Sequence, residues 1–185
     1  MQGETPPIVS ERRLDTYEET TMDKPVFYAK LANELAALLA DERNPIANAA
    51  NTAALLFHRM PDVNWAGFYF RHEDQLVLGP FQGPPACVRI AIGRGVCGTA
   101  AQRRQTIVVP DVHEFPGHIA CDAASQAEVV VPILQDDRLV GVLDIDSPVR
   151  YRFDPADGDG LEQVVAVFRK RTDLRALFPE DKVPA

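Results

Sequence analysis

The segment EVVVPILQDDRLVGVLDIDS (128–147) decides the fold. An apolar run, a polar break and a second largely apolar run read as a β-hairpin turning at Asp136-Asp137. In its second arm the residues alternate, so Val140, Val142, Asp144 and Asp146 are expected on one face. Asp144 and Asp146 would then sit roughly 7 Å apart, pointing the same way. Two carboxylates in that position repel unless a cation lies near them. Glu128 opens the first arm. A carboxylate at the head of an apolar strand either points into water or is desolvated, with a raised pKa.

Working outward, WAGFYFR (65–71) alternates, with Trp65, Gly67 and Tyr69 on one face and Ala66, Phe68 and Phe70 on the other. HEDQ (72–75) makes a turn, and LVLGPFQG (76–83) pairs back. CVRIAI (87–92) reads as a third strand, with Val88, Ile90 and Ile92 on one face and Cys87 and Arg89 on the other. GVCGTAAQRR (95–104) is a short helix carrying Cys97, and TIVVP (106–110) is a further strand. Two helices precede the strands. Asp23 and Pro25 start the first, with Phe27, Tyr28, Leu31, Leu35, Leu38 and Leu39 as its apolar stripe. Asn44-Pro45 starts the second, with Ile46, Ala49, Ala53, Leu56 and Phe57 as its buried face. An amphipathic helix over 156–177 closes the chain. The order predicts an α+β domain over 23–178, with helices packed on one face of a mostly antiparallel sheet and a long loop on the other. Residues 1–22 and 179–185 read as polar tails.

The bulk numbers set limits. With 185 residues, the chain is long enough for one domain with a sizeable core. The formal net charge of −8 disfavours a phosphate-backbone partner, so no nucleic acid is expected. No apolar run reaches membrane-spanning length and no signal-peptide core is seen, so a cytoplasmic location away from membranes is expected. The three cysteines, Cys87, Cys97 and Cys121, are an odd count that argues against a structural disulfide framework. Buried thiols, metal ligation and redox chemistry remain as their possible uses.

Cys121 lies in GHIACDAAS (117–125), within a loop from Asp111 to Ser125 that is long for a compact domain. Its small residues suit a segment that folds over a ligand, and His118 lies three residues away. Cys97 follows the glycines of GRGVCGT (93–99) at a helix start, where the macrodipole favours a thiolate; plain helix packing is the alternative. That turn offers backbone N–H groups to a carboxylate but lacks the lysine of a nucleotide loop. A zinc site from Cys87, Cys97, Cys121 and His118 lacks the close cysteine pairs of common zinc modules, so no metal or other cofactor is expected.

The segments NWAGFYF (64–70), CVRIAIGRGVCGTAA (87–101), DVHEFPGHIACDAASQAEVVVPI (111–133) and GVLDIDSP (141–148) together resemble the free methionine-(R)-sulfoxide reductases, single-domain proteins of the GAF fold. The resemblance covers about residues 25–170. It implies an oxidoreductase that converts free L-methionine-(R)-sulfoxide to methionine with electrons from thioredoxin, working as a homodimer. It implies Cys121 as the attacking thiol and Cys87 as the usual resolving cysteine, with Cys97 also able to form a disulfide. It places Glu128 as proton donor, Asp144 and Asp146 around the substrate ammonium, and Trp65 and Tyr69 as pocket wall. A GAF domain that senses a small molecule or redox state without catalysis is the competing expectation.

Overall fold

The computed structural model describes residues 23–117 and 124–177. Four α-helices lie among them: α1 (Lys24–Leu38), α2 (Pro45–Arg59), α3 (Gly95–Arg103) and α4 (Pro155–Arg171). They alternate with six strands: β1 (Trp65–His72), β2 (Gln75–Gln82), β3 (Arg89–Ala91), β4 (Ile107–Val109), β5 (Ala127–Gln135) and β6 (Arg138–Ser147). The strands form one sheet in the order β3-β2-β1-β6-β5-β4. Each neighbouring pair is antiparallel. The α+β architecture is as the sequence predicts.

The sheet separates two apolar clusters. On one face α1, α2 and α4 cover Ala66, Phe68, Val129, Val131, Leu143 and Ile145. On the other, Trp65, Tyr69, Val130 and Val142 meet Val96, Cys97 and Ala100 of α3. The short helix thus sits on the face expected for the loop, opposite the three longer ones. The parity expected for β1 holds, with Trp65 and Tyr69 on the α3 face and Ala66 and Phe68 on the other.

The β5–β6 hairpin turns at Asp136 and Asp137, with φ of 49° and 60°. Left-handed values at both turn residues match the strand twist, and aspartate tolerates them. The parity expected for β6 fails at one residue. Ile133 pairs with Gly141 but Leu134 pairs with Leu139, which leaves Val140 as an extra residue. This bulge turns Val140 to the three-helix face, away from Asp144. The third strand is also shorter than expected, so Cys87 lies in the connection before β3. It packs with the same cluster as Ile90, which removes the expected division of those two side chains between opposite faces.

The helix stripes shift as well. Leu38 and Ile46, expected inside, are 48% and 52% exposed. Asn48 and Thr52 of α2 are fully buried in their stead. Asn48 Nδ2 donates to Thr172 Oγ1 at 3.1 Å and to the Glu42 carbonyl at 3.1 Å, while Thr52 Oγ1 donates to the Asn48 carbonyl at 2.7 Å. Polar residues buried through such hydrogen bonds carry no apolar signature, and Asn48 Oδ1 itself has no hydrogen-bond partner among the described residues.

α1 and α4 meet where Tyr28 lies on Gly160. The Tyr28 hydroxyl donates to buried Asp157 Oδ1 at 2.8 Å. Asp157 also receives Lys24 Nζ at 2.7 Å, Arg152 Nη1 at 3.2 Å and the Asp154 N–H at 2.8 Å. Burial, then the Asp157 charge, hold the Tyr28 phenol well above its ordinary pKa, so it stays a donor. A Cβ on Gly160 would fall 2.1 Å from the Tyr28 ring. Gly160→Ala is therefore expected to displace the ring and its hydrogen bond, costing about 3 kcal/mol and lowering Tm by roughly 10 °C in a thermal melt.

Candidate active site

Strand register brings the predicted acidic residues together. Asp146 pairs with Trp65 on one side and Glu128 on the other, and Asp144 pairs with Gly67 and Val130. Trp65, Glu128, Asp144 and Asp146 thus share the sheet face that α3 covers. α3 presses Cys97 onto them. Its second turn crosses β3 so closely that a Cβ on Gly98 would lie 2.3 Å from the Ala91 carbonyl oxygen.

Cys97 Sγ donates to Glu128 Oε1 at 3.8 Å. Cys97, Glu128 and Asp144 each turn one ligand-type atom into a group whose members all lie within 4.8 Å of one another. They are 4%, 6% and 6% exposed. Burial first, then the charges of Asp144 and Asp146, push the Glu128 carboxyl well above the ordinary carboxylate range. Burial raises Asp144 to about 7, against the opposing pull of hydrogen bonds from Cys97 and Glu128. Two carboxyls that hydrogen-bond to each other share a proton. The Cys97 thiol is pushed up by burial, then by Asp144 and Glu128. The expectation that the α3 macrodipole yields a thiolate here is corrected: desolvation and two flanking carboxylates outweigh a partial charge. The second oxygen of Asp144, Oδ1, is buried without a hydrogen-bond partner among the described residues.

One wall of the pocket is aromatic. Trp65 stacks on Tyr69 at 5.8 Å between centroids and on Phe81 at 5.4 Å. Gly67 makes this possible, since a Cβ there would stand 2.6 Å from the Trp65 ring. Trp65 Nε1 donates to the Pro84 carbonyl at 3.2 Å, and the Tyr69 hydroxyl donates to the Cys87 carbonyl at 3.1 Å. Both polar tips hold down the connection that carries Cys87. Cys87 is disulfide-bonded, and Cys97 is the free thiol among the described residues. The disulfide withdraws Cys87 from the zinc set weighed above. His118 and Cys121 lie outside the described residues.

The pocket is completed by Gly95, in the turn that the sequence marks as a source of backbone N–H groups, and by Pro85, Ala86, Ile90, Arg94, Val96 and Ser125, to which the sequence assigns no site role. Arg94 had one signal: it stands between the glycines of GRG, at the N-cap of α3. The arrangement offers an acidic floor, a buried carboxyl pushed above the ordinary carboxylate range, an apolar wall, and the N-terminal end of a helix.

A curled antiparallel sheet with the pocket between its face and a short crossing helix defines a GAF domain, and the GAF domain family pattern matches residues 30–168. The free methionine-R-sulfoxide reductase of Escherichia coli (strain K12) is 53% identical over 160 residues, spanning 85% of this chain and 97% of that one. The Neisseria meningitidis free methionine-R-sulfoxide reductase, solved in complex with its substrate, superposes with a TM-score of 0.80 at 42% identity, over 84% of this chain and 94% of that one. The Staphylococcus aureus fRMsr, also solved with substrate, gives a TM-score of 0.75 at 51% identity, over 78% and 94%. The chain belongs to the free methionine-R-sulfoxide reductases, a family of oxidoreductases built on the GAF domain. No helix among the described residues is long and apolar enough to cross a membrane.

Proposed function

We propose that the chain reduces free L-methionine-(R)-sulfoxide to L-methionine through Cys121. The observation that carries this reading is the buried Glu128 carboxyl, pushed well above the ordinary carboxylate range by burial and by its acidic neighbours, inside a pocket with an aromatic wall. The Cys121 thiolate attacks the sulfoxide sulfur. The sulfoxide oxygen takes up a proton from Glu128 as the methionine sulfur gains the electron pair. The oxygen then passes as hydroxyl from the methionine sulfur to Cys121 Sγ: its bond to the methionine sulfur and the new sulfur–sulfur bond both break, methionine leaves with the electron pair, and Cys121 is left as a sulfenic acid. The Cys87 thiol condenses with it, releasing water and forming a disulfide. Thioredoxin returns the disulfide to two thiols.

Each remaining group has a part in binding. Asp144 and Asp146 hold the substrate ammonium, and Asp144 Oδ1 is an acceptor with capacity to spare. The start of α3, where Arg94, Gly95 and Val96 line the pocket, receives the substrate carboxylate. Trp65 and Tyr69 flank the methylene groups. A site that pairs both ends of a free amino acid rejects a residue within a peptide, which has neither charge.

The test is NADPH consumption coupled through thioredoxin reductase and thioredoxin, with each sulfoxide epimer supplied separately. Turnover of the free R epimer is expected. The S epimer and N-acetylmethionine sulfoxide are expected to give rates on the order of 100-fold lower or less. Absence of turnover with the R epimer in folded, reduced protein would overturn the proposal and favour a sensing domain.

A further inference from the structure

We propose that Cys97, Glu128 and Asp144 form a binding site for a borderline-soft divalent cation of the Zn²⁺ class, and that a metal bound there excludes the amino-acid substrate. The site itself is read from geometry alone; only the exclusion of substrate rests on the reductase reading.

The separation of the donors fits. In a tetrahedral zinc shell, Zn–S of about 2.3 Å and Zn–O of about 2.0–2.2 Å place sulfur and oxygen roughly 3.5 Å apart. Cys97 Sγ and Glu128 Oε1 stand 3.8 Å apart, and an atom of Asp144 lies within 4.8 Å of both. Small side-chain rotations bring the three to a common centre. The donors come from α3, β5 and β6, whose backbones are fixed by the sheet register and by the close packing of α3 on β3. A rigid frame spares the cost of gathering ligands.

A second observation points to a ligand. Asp144 Oδ1 is buried in this pocket without a hydrogen-bond partner among the described residues. An unsatisfied buried acceptor costs free energy that a coordinating cation recovers. Glu128 and Asp146 are cross-strand neighbours with Asp144 on the same face, and a bound cation displaces the protons that these carboxyls and the Cys97 thiol otherwise hold. The donor set selects the cation. One sulfur with carboxylate oxygens suits Zn²⁺, Co²⁺ or Cd²⁺, whereas Ca²⁺ and Mg²⁺ require six or more oxygens. Water or Asp146, half-buried beside Glu128, completes the shell. The substrate ammonium would use the same carboxylates, so metal and substrate compete.

Co²⁺ is the probe, because a cobalt–thiolate bond gives a near-ultraviolet charge-transfer band without any turnover. A full-length Cys87→Ser/Cys121→Ser chain leaves Cys97 as its single thiol. Titration is expected to develop the band with one Co²⁺ per chain, displaced by Zn²⁺. Asp144→Asn or Glu128→Gln in that background is expected to weaken binding at least tenfold. No band, or a band whose affinity neither change alters, overturns the site. Should the double variant not fold, the wild-type melt decides: Zn²⁺ is expected to raise Tm in the unmodified chain but not in Asp144→Asn, and an equal rise in both overturns the site. In the coupled assay Zn²⁺ should raise KM for the sulfoxide with kcat unchanged, and a fall in kcat alone overturns the competition. Failure of turnover in EDTA sinks the reductase reading instead, and leaves the cobalt spectrum untouched.

Discussion

The Cys121→Ser chain is expected to form no methionine from free methionine-(R)-sulfoxide, a loss on the order of 10³-fold or more. The expectation rests on what the other two thiols can do. Cys97 is buried, and its sulfur donates to Glu128. Burial and the neighbouring carboxylates hold its thiol well above the ordinary range, so little thiolate exists near neutral pH. Its role is confined to the floor of the pocket. Cys87 sits in a connection clamped by Trp65 and Tyr69 and is disulfide-bonded, which supports the proposed resolving role. Quantifying methionine in a single turnover, with reduced enzyme and no thioredoxin, separates the roles. Cys87→Ser and Cys97→Ser should each release about one methionine per chain. With thioredoxin added, Cys97→Ser should continue cycling while Cys87→Ser stalls after the first round. A burst that survives in Cys121→Ser and disappears in Cys97→Ser would assign the attack to Cys97.

Asp144→Asn is expected to damage catalysis and strengthen the fold at once. Asparagine keeps the shape but not the charge that holds an ammonium, so KM for the sulfoxide should rise on the order of 100-fold. The stability effect follows from the carboxyl's environment. Burial raises Asp144 to about 7 from an ordinary 3.8. Between those values the folded chain binds more protons here than the unfolded chain, so stability falls as pH rises. The penalty is absent below the unfolded value and complete above the folded one. At pH 8 it is on the order of 2–4 kcal/mol, and the amide avoids it. Urea melts in EDTA at pH 4.5 and pH 8 provide the check. Asp144→Asn should be more stable than wild type by a few kcal/mol at pH 8, and by only about 1 kcal/mol at pH 4.5, where the unfolded carboxyl is already mostly ionised. Parallel pH profiles for the two chains would refute the assignment of this penalty to Asp144. A buried carboxylate that costs stability is a common feature of functional sites.

Much of the fold was legible because its signals are local. Alternation in 65–71 placed Trp65 and Tyr69 on one face, and the spacing of Asp144 and Asp146 placed them together. Where expectation and structure part, a contact between distant segments intervenes. Ile46 is exposed while Asn48 and Thr52 are buried, with Asn48 Nδ2 bonded across the fold to Thr172 and Thr52 Oγ1 bonded within its own helix. Val140 changes face because the register with β5 skips it, Ile133 pairing with Gly141 and Leu134 with Leu139.

The sequence by itself determined the two hairpins, the helix starts at Asp23 and Asn44, and the family to which the chain belongs. Those are written in neighbours a few residues apart, with periods of 2 and 3.6. Only the tertiary structure decided what Cys97 is. From its sequence position it reads as a thiol at a helix start; in the fold it is a buried proton donor to a glutamate 31 residues away. Its ionisation is set by desolvation and by carboxylates on other strands, and such forces act through space and leave no trace along the chain.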